Sequence, residues 1–93
     1  MPSHKTLVIN DDIKIIFTFL ELVVNIDIYN NETINTSAIY HNEFILEFNK
    51  LVDDYNVTTH YAKLIRYWFN KNYNKLYPQK TYITMYGRII NLK

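Results

Sequence analysis

Cysteine is absent from this 93-residue chain, which excludes a disulfide framework and thiolate chemistry. A single glycine and two prolines leave no glycine-lined phosphate loop and no long flexible linker. Apolar runs are short of a membrane span, because Lys14, Glu21 and Asp27 interrupt the longest of them. The opening MPSHKTLVINDD couples no basic segment to an apolar one, so no secretory signal is expected there. The most consequential absence is local: no acidic residue follows Asp54.

What is present is a hydrophobic content of 48%, with 16% aromatic residues, enough for a modest core in one domain. Residues 1–54 hold all nine acidic residues and three lysines, a charge of −6. Residues 55–93 hold seven Lys or Arg and no acid, a charge of +7, together with seven of the nine tyrosines. A cationic, tyrosine-rich half suits a polyanion, nucleic acid foremost, because phosphate contacts supply much of non-specific affinity. The competing account matches the basic half to the acidic half, within the chain or across subunits. Twelve asparagines read as coding bias, and the glycosylation sequons at Asn31, Asn35 and Asn56 as chance in so Asn-rich a chain.

Residues 1–9, with His4 and Lys5, are expected as an N-terminal arm, and residues 10–93 as a single domain. Asn10 or Asp11 can cap a first helix, on which Ile13, Ile16, Phe17, Leu20, Val23 and Val24 recur at helical spacing. Ile15, Phe19 and Leu22 fall outside that stripe, and the β-branched residues from Val23 to Ile28 leave a strand open there. A helix this apolar is either well buried or lends its second side to another subunit, which makes it a candidate homodimer surface. IDIYNNETINTS, residues 26–37, reads as a break, with a short β-bridge open at Ile26, Ile28 or Ile34. A second helix is expected from Ala38 to Asp54, capped by Thr36 or Ser37 and burying Tyr40, Phe44, Phe48, Leu51, Val52 and Tyr55.

After the link YNVTT, Thr58 or Thr59 can cap a third helix that ends before Tyr73, since Asn72 would otherwise fall on its apolar side. Pro78 stops the helical pattern. TYITMYGRIINLK then reads as two strands around Gly87, with Ile83 opposite Ile90 and Met85 opposite Arg88. Helices followed by a hairpin define a mainly α fold with a small C-terminal β-hairpin, a helix-turn-helix or winged-helix-like single domain.

The third helix carries the candidate site. Tyr61, Leu64, Ile65, Trp68 and Phe69 share its apolar side, so Trp68 is read as core rather than as a base-stacking platform. His60, Lys63, Tyr67, Asn70 and Lys71 gather in an arc about 100° wide on another side, with Arg66 at its edge. Lysine reaches phosphates or guanine edges, and asparagine pairs two ways with adenine. Arg66 suits a salt bridge equally well. Lys80 and Arg88 flank the hairpin and would place it against the DNA backbone or minor groove. Asp11-Asp12 and Asp53-Asp54 are adjacent pairs suited to helix ends or surfaces, and His4, His41 and His60 are too scattered for a zinc site. No catalysis, metal or cofactor is expected.

FLEL, a polar break, TSAIYHNEF, a basic helix and a closing GRIINLK resemble the C-terminal winged-helix domain of poxvirus-type and phage-type primase-helicase proteins. Ser37, Tyr40 and Phe44 match the opening of that pattern, and Gly87 with Arg88 its close, over residues 17–93. The resemblance implies a viral or phage module in the cytoplasm or nucleus of a host cell, and it implies no helicase or primase activity, since no GxxxxGKS/T motif is present. The expected function is non-catalytic DNA binding, duplex favoured over single strand. The alternative is a protein-interaction module, a viral factor that occupies a host or viral protein, with an apolar groove rimmed by Glu43 and Glu47 as its working face.

Overall fold

The computed structural model describes residues 2–78 and the backbone of residues 81–83 and 89–91. The chain is α+β. Four strands, β1 (Ser3–Val8), β2 (Ile13–Phe19), β3 (Val23–Asn30) and β4 (Thr33–Tyr40), form an antiparallel sheet in the order β1-β2-β3-β4. A single 3-10 turn, His41–Glu43, leads into α1 (Phe44–Asp54), and α2 (Thr59–Leu76) follows. Two short strands, β5 (Thr81–Ile83) and β6 (Ile89–Asn91), pair antiparallel. The chain divides into two compact units, residues 1–44 and 45–93.

The mainly α expectation therefore fails over the first half of the chain, and the winged-helix architecture with it. The reason lies in a stretch apolar enough to satisfy both periods. Ile13, Ile16, Phe17 and Leu20 lie at helical spacing, but Ile15, Phe17 and Phe19 alternate along β2 and are all buried. β2 and β3 are joined by the two-residue turn Glu21–Leu22, closed by the Leu20 amide donating to the Val23 carbonyl at 2.9 Å. That register sets Phe17 opposite Ile26 and Phe19 opposite Val24, while Leu7 of β1 stands opposite Ile15. One sheet face thus collects Leu7, Ile15, Phe17, Phe19, Val24 and Ile26, all withdrawn from solvent. Leu22 projects from the turn, exposed.

The β1-β2 turn uses a residue read as a helix cap. The Asn10 side-chain oxygen accepts from the amides of Asp12 and Ile13 at 2.8 and 2.9 Å. This is the chemistry of a helix cap turned to hold the β1-β2 loop. Asn31 opens the β3-β4 turn at φ 55°, the positive value that the first position of a tight hairpin turn requires. Residues 3–8, expected as an arm, are the strand β1. Ser37 and Tyr40, expected in and before a helix, lie on β4 with Thr36, and α1 begins only at Phe44. Tyr40 is exposed accordingly.

Two rings close the first unit. Phe44 meets Phe17 edge-on, centroids 5.6 Å apart at 84°. His41, buried, stacks on Phe19 at 4.4 Å and 5°, and its Nε2–H donates to the Leu20 carbonyl at 2.8 Å. The carbonyl can only accept, so the bond fixes the proton on Nε2.

In the second unit α1 buries Ile45, Phe48 and Leu51, and α2 buries Ala62, Ile65, Trp68 and Phe69. The turn between them needs no glycine. Asn56 adopts φ 51°, and the Val57 amide reaches back to the Val52 carbonyl at 3.0 Å, the closing bond of a Schellman turn. Thr58 caps α2 by accepting from the Tyr61 amide. The helix continues past Tyr73, contrary to expectation, because Asn72 satisfies its own amide on the Trp68 carbonyl at 2.8 Å. Tyr73 and Tyr77 extend a ring ladder from Phe69, with centroids 5.5 and 4.6 Å apart. In the terminal hairpin Ile83 stands opposite Ile89 and Tyr82 opposite Ile90. The expected pairing of Ile83 with Ile90 is one residue out. Met85, Gly87 and Arg88 lie outside the described residues.

Phe17→Ala is expected to lower unfolding free energy by about 3–5 kcal/mol, the largest loss of any single truncation in the sheet. His41→Phe keeps the ring on Phe19 but orphans the Leu20 carbonyl, for a loss of about 1 kcal/mol. Urea unfolding followed by far-UV circular dichroism measures both.

Candidate nucleic-acid interface on helix α2

Along its 18 residues α2 carries four cations and no carboxylate. With Ala62, Ile65, Trp68 and Phe69 buried, the opposite side is open to solvent. His60, Lys63, Tyr67, Lys71 and Lys75 follow one another there at spacings of three and four, with Leu64 among them, a row of roughly 20 Å at 1.5 Å per residue. Tyr67 is the most open of the aromatic residues on this helix, 68% exposed, while Trp68 beside it is 8% exposed. The indole is thus core and the phenol is surface, as the helical spacing anticipates. Leu64, expected on the buried side, is 40% exposed and lies in the basic row. Tyr61 is also half open, with His60 edge-on to its ring at 5.5 Å.

The candidate residues divide by what already holds them. Arg66 is half-buried: its Nη2 donates to Asn49 Oδ1 of α1 at 2.7 Å, and its guanidinium lies 5.4 Å from the centre of the Phe48 ring. Burial lowers its pKa from the ordinary value, though a guanidinium remains charged at any physiological pH. Arg66 therefore braces α2 against α1 through an amide and a ring. Asn70 is also engaged, its side-chain oxygen accepting from Asn74 Nδ2 at 3.3 Å. Lys63, Lys71 and Lys75 meet no carboxylate among the described residues. Lys80 and Arg88 lie outside the described residues.

Lys75 was not legible as part of the row, because a helix ending before Tyr73 excludes it. The signal that would have found it is the i, i+4 spacing of Phe69, Tyr73 and Tyr77, which continues the helical period past Asn72. Asp53 and Asp54 close α1 and Asp11 and Asp12 occupy the β1-β2 loop. Among the described residues, no group of three or more His, Asp or Glu is placed to hold a metal ion, and no helix is long and apolar enough to cross a membrane.

Compared with models of known families, with curated proteins and with solved structures, the chain matches none.

If Arg66 is a brace, Arg66→Ala and Asn49→Ala should each lower stability by about 1 kcal/mol, and the double variant should lose less than the sum. A double-mutant cycle in urea measures this coupling. Strict additivity of the two losses would remove the bracing role.

Proposed function

We propose that this chain binds DNA, duplex in preference to single strand, through the exposed face of α2 and without chemistry of its own. The observation that carries the reading is the uninterrupted sign of that face: Lys63, Lys71 and Lys75 with His60, and no acidic residue anywhere on the helix. An α-helix fits the major groove, which is about 12 Å wide, and a row of cations along it neutralises phosphates on the groove walls. Tyr67, standing between Lys63 and Lys71, offers a hydroxyl to phosphate or a ring to a base edge. Lys80 and Arg88 belong to the same acid-free segment and would add flanking backbone contacts. Arg66, which donates to Asn49, is not among the contacts proposed. Asn70, tied to Asn74, would have to exchange that bond for one to adenine.

Fluorescence anisotropy of labelled duplex and single-stranded DNA tests the proposal. Binding is expected to weaken steeply with salt. Lys63→Ala/Lys71→Ala should reduce the slope of log K against log salt by about 2, one phosphate for each lysine removed. Tyr67→Phe should leave the slope unchanged. Absence of binding by the folded protein at low salt would sink the proposal.

A further inference from the structure

Among the described residues no strand pairs with the outer edge of β4, and that edge is built differently from the other edge of the sheet. Strand edges are usually guarded against pairing by charge, proline, a bulge or shortness. β1 is guarded, since Lys5 stands on the same face as Leu7, a charge on the side that carries the apolar residues. β4 has no guard of these kinds. Its eight residues, TINTSAIY, include no charge and no proline, and they pair with β3 in unbroken register. Thr33 to Ala38 are exposed on both faces, and Ile34 is 57% open.

The direction of its backbone groups follows from two bonds. The Leu20 amide on the Val23 carbonyl and the Asn31 amide on the Asp12 carbonyl show that the odd-numbered residues of β3 bond to β2. Antiparallel ladders alternate, so the even-numbered residues of β3 bond to β4, through Thr33, Asn35, Ser37 and Ile39. The amides and carbonyls of Ile34, Thr36 and Ala38 therefore point away from the sheet.

We infer that β4 pairs with β4 of a second copy of this chain, antiparallel about a two-fold axis at Thr36, joining two four-stranded sheets into one. The strand is close to a palindrome in chemical kind. The axis sets Thr36 opposite Thr36, Ile34 opposite Ala38 and Asn35 opposite Ser37, so like meets like on each face. The same register brings Ile34, Thr36 and Ala38, whose backbone groups point outward, into hydrogen-bonded pairs with their counterparts. A two-fold sets any residue at its centre against itself, and here that residue is an uncharged threonine whose hydroxyl can bond to its twin. Two β1 edges would instead bring like charges together through Lys5. This pairing replaces the dimer expected through a first helix, a surface that does not exist because residues 13–30 are β2, its turn and β3. It stands independently of DNA binding by α2.

Sedimentation equilibrium of the full chain, with hydrogen exchange on the same samples, tests it. The wild type should reach twice the 11.3 kDa chain mass at sub-millimolar concentration. The amides of Ile34, Thr36 and Ala38 should gain protection as it does. Thr36→Lys and Thr36→Glu, substitutions on an exposed strand face, should each weaken association on the order of 100-fold with unchanged circular dichroism. Their equimolar mixture should restore the dimer, because lysine then faces glutamate across the axis. A wild type that stays monomeric overturns the inference and leaves the edge to a strand of another protein. Charged variants that dimerise as the wild type does, or association that grows without closing at two copies, also overturn it.

Discussion

Pairing of β2 with β3 in one register is the constraint on which the first unit depends. The two-residue turn at Glu21–Leu22 fixes parity, and parity decides which side chains share a face. With Phe17 opposite Ile26, the rings of Phe17 and Phe19 are placed to receive Phe44 and His41. A slip of one residue would expose Ile15, Phe17 and Phe19 together and bury Ile16 and Thr18 in their place. The same parity passes through β3 to β4 and determines which of its backbone groups are left for a partner.

The second unit solves a different problem, that of holding a helix rich in like charge. Four cations on α2 gain nothing from one another, so the stability of the helix comes from its buried side. Ala62, Ile65, Trp68 and Phe69 supply that side, Thr58 and the Asn56 turn fix the start, and Asn72 and the tyrosine ladder carry the helix to Leu76. One cation, Arg66, is drawn into this framework by an amide and an aromatic ring. The lysines stay in water. That division separates the charge that organises the fold from the charge available to a polyanion.

Much of the α2 site was legible because its signal is local. A period of 3.6 residues placed Trp68 and Phe69 inward and Lys63, Tyr67 and Lys71 outward, and the lack of acid after Asp54 is plain in the sequence. Arg66 was ambiguous, since its position on the arc's edge suits a DNA contact or a salt bridge, and its bond to Asn49 is made across helices where the local sequence gives no signal. Leu64 was misplaced because a helical wheel shows which side is apolar but not how wide the covering surface is. Lys75 was lost with the last turn of the helix, where the side-chain bond of Asn72 outweighed its polarity.

By itself, the sequence determined helix over residues 44–54 and 59–72 though not their outer bounds, a cap at Thr58 or Thr59, the break at Pro78 and the division of charge between the halves, all of them consequences of neighbours within a few positions. The tertiary structure alone decided the fate of residues 3–40. There Ile, Val and Phe are dense enough to match a helical and an alternating period at once, and hydrogen bonds between distant strands break the tie. Asn10 and Asn31 illustrate the reason. Each binds backbone amides or accepts a positive φ in a helix cap and in a hairpin turn alike, so its chemistry is local while its meaning depends on which strand returns beside it.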